Sequence, residues 1–190
     1  MKKFFSILLL FLVLLFLGAS NIAAQNNNEK PEIDFIFGPR VGFSWVIVDT
    51  ETFNAVVQNI FPDSEQTYRP FFTQFGLNLE QRIRLGDTKS HFALQEVLLF
   101  GGLDQNVIFP FFSFLMGFRS FTGLEFGIGP NISFSSLSGS FRISISVVYA
   151  VGWTFTFQNV YVPVNIAVVP TPRDNHPRLT FLTGFNFKVY

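Results

Sequence analysis

The sequence predicts an all-β protein, an eight-stranded antiparallel up-and-down β-barrel that crosses a membrane. Three observations support this fold class. The 190 residues include 28 phenylalanines, and the charged share of 14% lies well below the roughly 25% of a soluble domain. Apolar and polar residues alternate along most of the chain, as in strands with two different faces. A segment typical of exported proteins precedes the alternating part.

Composition also excludes several classes of protein. The aromatic and apolar content is too high for a disordered chain. The absence of cysteine excludes a disulfide scaffold and a cysteine-ligated metal site. Lys+Arg and Asp+Glu both number 13, so the chain lacks the basic footprint of nucleic-acid binding proteins.

The first element is a predicted signal peptide. Lys2 and Lys3 precede an apolar run over 4–17, and small residues follow up to Ala24, which is the order of a cleaved export signal. A membrane anchor is the alternative, but the run is shorter than the roughly 20 residues of a spanning helix. The predicted organisation is therefore a signal peptide over 1–24, a polar periplasmic lead-in over 25–32 and a barrel domain over 33–190.

The alternating segments come next and define eight strands. Segments 77–85 and 123–134 alternate apolar with polar or small residues, and 140–155 does so most regularly. In a membrane barrel the apolar face meets lipid and the polar face lines the lumen. A soluble ligand-binding barrel, with the two faces reversed, is the alternative. The predicted strands are 33–46, 69–85, 90–101, 106–119, 121–134, 139–155, 159–169 and 177–190.

Some residues conflict with regular strands. Glu96 is in phase with apolar neighbours, so we expect a bulge near it or a place at the membrane rim. Segment 106–119 is apolar on both faces, which predicts that Phe109 and Phe111 point inward. Prolines remove ladder donors, so we expect bulges or strand ends at Pro39, Pro110, Pro130 and Pro163.

Two connections are long, 47–68 and 170–177, and we expect them on the external side. The first contains apolar residues at helical spacing, with Thr52 as a possible cap and Pro62 as the stop. A short amphipathic helix is therefore predicted there, lying on the membrane surface or folded over the barrel mouth. Its apolar residues are Phe53, Val56, Val57, Ile60 and Phe61.

With the apolar face outward, the inward positions carry a predicted polar network. Charges in a dry interior must pair or hydrogen-bond, and an eight-stranded barrel is just wide enough to be filled by side chains. We therefore expect a structural polar filling, with a gated ion path as the alternative. The network residues are Arg40, Asn78, Glu80, Arg82, Arg84, Glu125, Asn131, Arg142, Asn165, Asn186 and Lys188.

Three features of the chain carry a family resemblance: the export signal, the segment TGLEFGIGPNISF, and the segment RLTFLTGFNFKVY, which ends in the aromatic Tyr190. In these features the chain resembles the small eight-stranded outer-membrane β-barrel proteins of Gram-negative bacteria. The resemblance implies a place in the cell outer membrane. The implied partners are outer-membrane lipid, lipopolysaccharide and the barrel-insertion machinery, with no nucleic acid.

A structural or surface-interaction role is the main functional expectation. The alternatives are a small solute channel or transporter and a lipid-modifying outer-membrane enzyme. Only His91 and His176 are present, and neither is placed near a serine nucleophile. We therefore expect no catalytic residue, no cofactor and no metal site.

Overall fold

The computed structural model describes residues 33–61, 66–85, 90–137, 140–158, 160–170 and 176–189, with the side chains of 134–142 left out. The predicted signal peptide and lead-in lie outside these residues. No helix in the described ranges is long and apolar enough to span a membrane.

Eight antiparallel strands close into a barrel, which confirms the predicted fold class. Each strand pairs with the next along the chain, and the first pairs with both the second and the last. The last strand consists of two segments separated by Phe185. The strands are β1 (Ile33–Val46), β2 (Phe71–Arg84), β3 (His91–Gly101), β4 (Phe109–Arg119), β5 (Leu124–Leu137), β6 (Ser140–Phe157), β7 (Val160–Val169) and β8 (Arg178–Gly184 and Asn186–Val189).

The two ends of the barrel differ. One end, called the turn end here, carries the connections 85–90, 120–123 and 158–159. The other, the helix end, carries the connection between β1 and β2, which contains helix α1 (Thr50–Ile60), and a short 3-10 turn at Leu103–Gln105.

The prolines interrupt ladders without shifting them, so the prediction of bulges was wrong for three of the four. The pairs Phe37–Phe187 and Arg40–Gly184 flank Pro39 and keep one register. Each strand residue points its N–H toward one neighbour, so a proline removes a donor from one ladder and leaves the other intact. Pro130 and Pro163 likewise stay in register with β6. Pro110, the second residue of β4, lies at a strand end as predicted.

Glu96 also lies in a regular ladder, against the expectation of a bulge or a rim position. It pairs with Leu79 on one side and Phe114 on the other, and the register continues past both. It is the central residue of the eleven in β3. Alternation therefore points its carboxylate outward among apolar side chains.

The outer surface of the strands is apolar. Phenylalanine, leucine, isoleucine and valine dominate it, and two tryptophans lie near opposite ends: Trp45 is 49% exposed at the helix end and Trp153 is 41% exposed toward the turn end. Aromatic residues near both rims are typical of membrane barrels. Among the described outward side chains of the strands, the polar exceptions are Thr73, Gln81, Glu96 and Thr183.

Helix α1 forms as predicted, but its cap is Asp49 and not Thr52. The Asp49 carboxylate accepts hydrogen bonds from the Thr52 backbone N–H and hydroxyl, both at 2.8 Å. These two bonds hold the pKa of Asp49 below its ordinary value. The buried side chains Phe53 and Val57 pack into the apolar cluster of the lumen. The helix therefore folds over the barrel mouth.

Candidate functional site

A cluster of ionised side chains fills the lumen near the turn end, and we call Glu80, Arg82, Arg119 and Glu125 the ionic cluster. Glu80 is fully buried. Its carboxylate accepts from Arg82 Nε at 2.6 Å and from Arg119 Nε and Nη2 at 3.1 and 2.9 Å. The contact with Arg119 is bidentate, the geometry that favours arginine–carboxylate pairs. Arg119 also forms an ion pair with Glu125.

Neutral groups complete the cluster. Glu125 Oε1 accepts from the Asn165 amide at 2.7 Å and from the Thr154 hydroxyl at 3.2 Å. The Arg82 guanidinium lies over the Tyr161 ring, 4.5 Å from its centroid. The two carboxylates therefore have several partners each, which offsets the desolvation cost of burying them.

The helix end of the lumen is mainly apolar, so the predicted polar filling covers only part of the interior. The Phe72 ring stacks on Phe111, with centroids 6.3 Å apart. From the connections, Phe53, Val57 and Tyr68 join the same cluster. This cluster, called the apolar plug here, also contains Val97, Leu99, Val107, Leu115, Val148, Ala167, Val169 and Leu182.

The structure places the predicted network residues as follows. Arg84, the last residue of β2, is exposed at the turn end, although it is in phase with the buried Glu80 and Arg82. Lys188 is partly exposed and pairs with Asp34 at 2.6 Å. The Arg142 side chain lies outside the described residues. Buried or partly buried in the lumen are Arg40, Asn78, Glu80, Arg82, Glu125, Asn131, Asn165 and Asn186.

The predicted apolar residues of the first loop divide between two faces. Phe53 and Val57 are buried, while Val56 is exposed. Phe61 packs edge-on against Phe109, with centroids 5.9 Å apart, and Ile60 is half-buried. In the second long connection, residues 171–175 lie outside the described residues.

Sequence reasoning missed Arg119 and Arg178. Arg119 lies eight positions after Phe111, and alternation from that inward residue already placed it in the lumen. Arg119 was assigned to a tight turn instead of to the inward face of the strand. Arg178 is in phase with the buried Thr180, so alternation along β8 also indicated that Arg178 points into the lumen.

The hairpin β5–β6 extends past its neighbours at the helix end. In the described chain, β6 pairs with β7 only from Tyr149 onward, and β5 pairs with β4 only up to Ser133. Beyond these points the two strands pair only with each other. Both faces are open there, since Ser144 is exposed and Ile145 is 72% exposed. We call residues 140–147 of β6 the free edge.

The fold and the outer surface define the class of this protein: it is a small, closed, antiparallel β-barrel of the outer-membrane type. The buried positions of Arg82 and Glu125 exclude the soluble barrel with reversed faces. In the described residues, no group of His, Cys, Asp and Glu is arranged to hold a metal ion.

Comparison with known proteins gives similar structures only. No family model matches the chain, and no curated protein matches it. A crystal structure of Ail, the attachment invasion locus protein of Yersinia pestis, has a TM-score of 0.49 and 15% identity, covering 84% of this chain and 99% of that one. Neisserial surface protein A has a TM-score of 0.49 and 11% identity, covering 83% and 99%. A structure of Ail in a phospholipid bilayer nanodisc has a TM-score of 0.48 and 14% identity, covering 83% and 100%.

Proposed function

We propose that the protein is an integral protein of the cell outer membrane that binds partners at the cell surface through the β5–β6 hairpin. The free edge is the observation that carries this proposal. A strand edge offers a row of backbone N–H and C=O groups, and an extended segment of another chain adds to such an edge as a further strand.

The outer surface supports the place in a membrane. Monomeric soluble proteins rarely expose apolar patches larger than a few hundred Å², whereas large apolar side chains are exposed around the whole barrel. A closed barrel satisfies its backbone hydrogen bonds between strands, as a lipid-embedded chain requires. We therefore propose that outer-membrane lipid and lipopolysaccharide surround the barrel. The same proposal includes insertion of the barrel into the membrane by the barrel-insertion machinery.

The filled lumen favours a surface role over transport. The ionic cluster crosses the barrel near one end, and the apolar plug with α1 occupies the other. A solute would have to displace buried ion pairs and packed aromatic rings to pass. The proposed role is also non-enzymatic, because the clustered polar side chains are arginine, glutamate, asparagine and threonine already bonded to one another.

Orientation is tested by labelling single cysteines, since the native chain has none. Ser144→Cys places a thiol on the hairpin, and Thr122→Cys places the matched control at the turn end. A membrane-impermeant maleimide should label the first variant in intact cells and the second only after lysis. Labelling of Thr122→Cys alone in intact cells would invert the proposed orientation. A heat-modifiable gel shift in the membrane fraction checks folding in each case.

Edge binding is tested with proline variants. Neighbouring strand residues point their N–H groups to opposite sides, so one of Ser144→Pro and Ile145→Pro removes a donor from the free edge and the other from the β5 ladder. A phage library of random peptides, panned against the protein in nanodiscs, should enrich β-prone sequences. The edge-directed proline should abolish this enrichment while the gel shift is kept. Equal enrichment with both variants would exclude the free edge as the binding surface.

A further inference from the structure

The lumen holds more buried cations than carboxylates. Glu80 and Glu125 pair with Arg82 and Arg119. Arg40 is only 5% exposed, and no carboxylate of the described residues forms an ion pair with it. The two carboxylates of the ionic cluster are therefore matched by two arginines, and Arg40 has no carboxylate in direct contact.

Arg40 contacts neutral oxygens only. Its Nη1 donates to the Asn186 side-chain oxygen at 2.7 Å and to the Pro39 carbonyl at 3.2 Å. Neutral acceptors satisfy hydrogen-bond donors but do not cancel a charge. The guanidinium therefore remains a net positive group inside the barrel.

Arg178 is in the same condition on the neighbouring strand β8, nearer the helix end. Its Nη2 donates to Asn131 Oδ1 at 3.1 Å, and its guanidinium lies 4.0 Å from the centroid of the Phe111 ring. Its Nε is buried and has no hydrogen-bond partner in the described structure. Arg178 thus has both an uncompensated charge and an unused donor.

Both arginines line one internal cavity, which measures about 50 Å³. The side chains of Asn131, Ser113 and Thr180 also line it. Ser113 Oγ accepts from the Asn131 amide at 2.8 Å, so the serine hydroxyl keeps its own hydrogen to donate. Since about 10–15 Å³ of such volume holds one water, the cavity has room for a monatomic ion with one or two waters.

We propose that this cavity binds a small monovalent inorganic anion of halide size. An anion there supplies a negative charge to a cavity that two guanidinium groups line. Donors at the wall include Arg178 Nε, which has no partner, and the Ser113 hydroxyl. The rest of the wall is largely apolar, with Val97, Leu99 and Leu182 among its residues. Such a wall suits a weakly hydrated halide better than a strongly hydrated phosphate. The site is independent of the proposed surface role.

Bromide locates the site directly. Crystals of the full barrel grown in sodium bromide should show an anomalous peak inside the cavity, between Arg178 and Arg40. The peak should be lost in Arg178→Met and kept in Arg84→Met, which removes an exposed arginine. Anomalous peaks confined to the outer surface would overturn the proposal.

Melting temperatures test the site in solution. The wild-type barrel in detergent micelles should be stabilised saturably by chloride but not by gluconate, which is too large for the cavity, at equal ionic strength. Arg178→Met should lose the chloride response, and in gluconate it should melt above wild type because it buries one uncompensated charge fewer. An equal chloride response in wild type and Arg178→Met contradicts the proposal.

A milder variant covers the case in which Arg178→Met fails to fold. Ser113→Ala removes one donor without altering charge, and a hydrogen bond to an ion contributes enough to raise the half-saturating chloride concentration about tenfold. An unchanged half-saturating concentration in Ser113→Ala, like an absent chloride effect in wild type, would refute the halide site.

Discussion

Replacing Glu80 by glutamine tests whether the ionic cluster stabilises the barrel. The carboxylate is fully buried and accepts three hydrogen bonds from two arginines, at 2.6, 2.9 and 3.1 Å. The amide keeps the shape of the side chain but removes the negative charge, so Arg82 loses its only ion-pair partner in the described structure and Arg119 keeps Glu125. Removing one partner from a buried ion pair costs about 3–5 kcal/mol, so Glu80→Gln should lower the free energy of unfolding by about that amount.

The assay is urea unfolding of the barrel in lipid vesicles. Trp45 and Trp153 lie on the outer surface, so their emission shifts when unfolding moves them from lipid to water. Asp34→Asn is the matched control, because its ion pair with Lys188 is 20% and 34% exposed and such pairs contribute only about 0–1 kcal/mol. A loss in Glu80→Gln no greater than in Asp34→Asn would refute the argument that the cluster is a buried, desolvated network.

Other predictions concern the outer face, a close strand contact and the helix cap. Glu96→Leu should raise the free energy of unfolding in vesicles by about 1–2 kcal/mol, because it removes a carboxylate from the lipid-facing centre of β3; a loss of stability in the same urea assay would show that Glu96 has a partner. Gly129→Ala should fail the heat-modifiable gel shift, since its Cβ would lie 1.8 Å from the Phe114 carbonyl oxygen, whereas Gly127→Ala, with its nearest contact at 3.5 Å, should fold. The Asp49 pKa is lowered on folding, so the cap is fully effective above the unfolded value of 3.8 and is lost as pH falls through the folded value. Amide exchange in the first turn of α1, corrected for intrinsic rates, should therefore rise at acidic pH in wild type but not in Asp49→Asn.

The strand positions were predictable because a two-residue period is a local property of the sequence. Segment 33–46 of the prediction coincides with β1, and 159–169 differs from β7 by one residue. The partners within the lumen were not predictable in this way. Glu80 and Arg119 are 39 residues apart, and they meet only because the barrel closes and the stagger of the strands brings them to one level.

The prediction of bulges at prolines was wrong because alternation of apolar and polar residues does not show which neighbouring strand a backbone nitrogen faces. A proline's effect depends on which neighbouring strand its nitrogen faces, and Pro39 keeps its pairing with β2 while the ladder to β8 is interrupted.

The free edge was not predicted for a related reason. Its existence depends on where β4 and β7 end relative to β5 and β6, and a single segment contains no information on the length of its neighbours.

The ionic cluster also specifies which way the strands face. In lipid, an apolar side chain gains little by turning inward, so hydrophobic burial cannot by itself distinguish the two faces of a strand. A slip of one residue would turn every side chain of a strand to the other face, and for β2 it would send Glu80 and Arg82 into the bilayer. A slip of two would keep the faces but break the bidentate contact between Glu80 and Arg119. The buried charges are therefore more than a filling, because among the possible registers they stabilise the one in which each carboxylate meets its arginine.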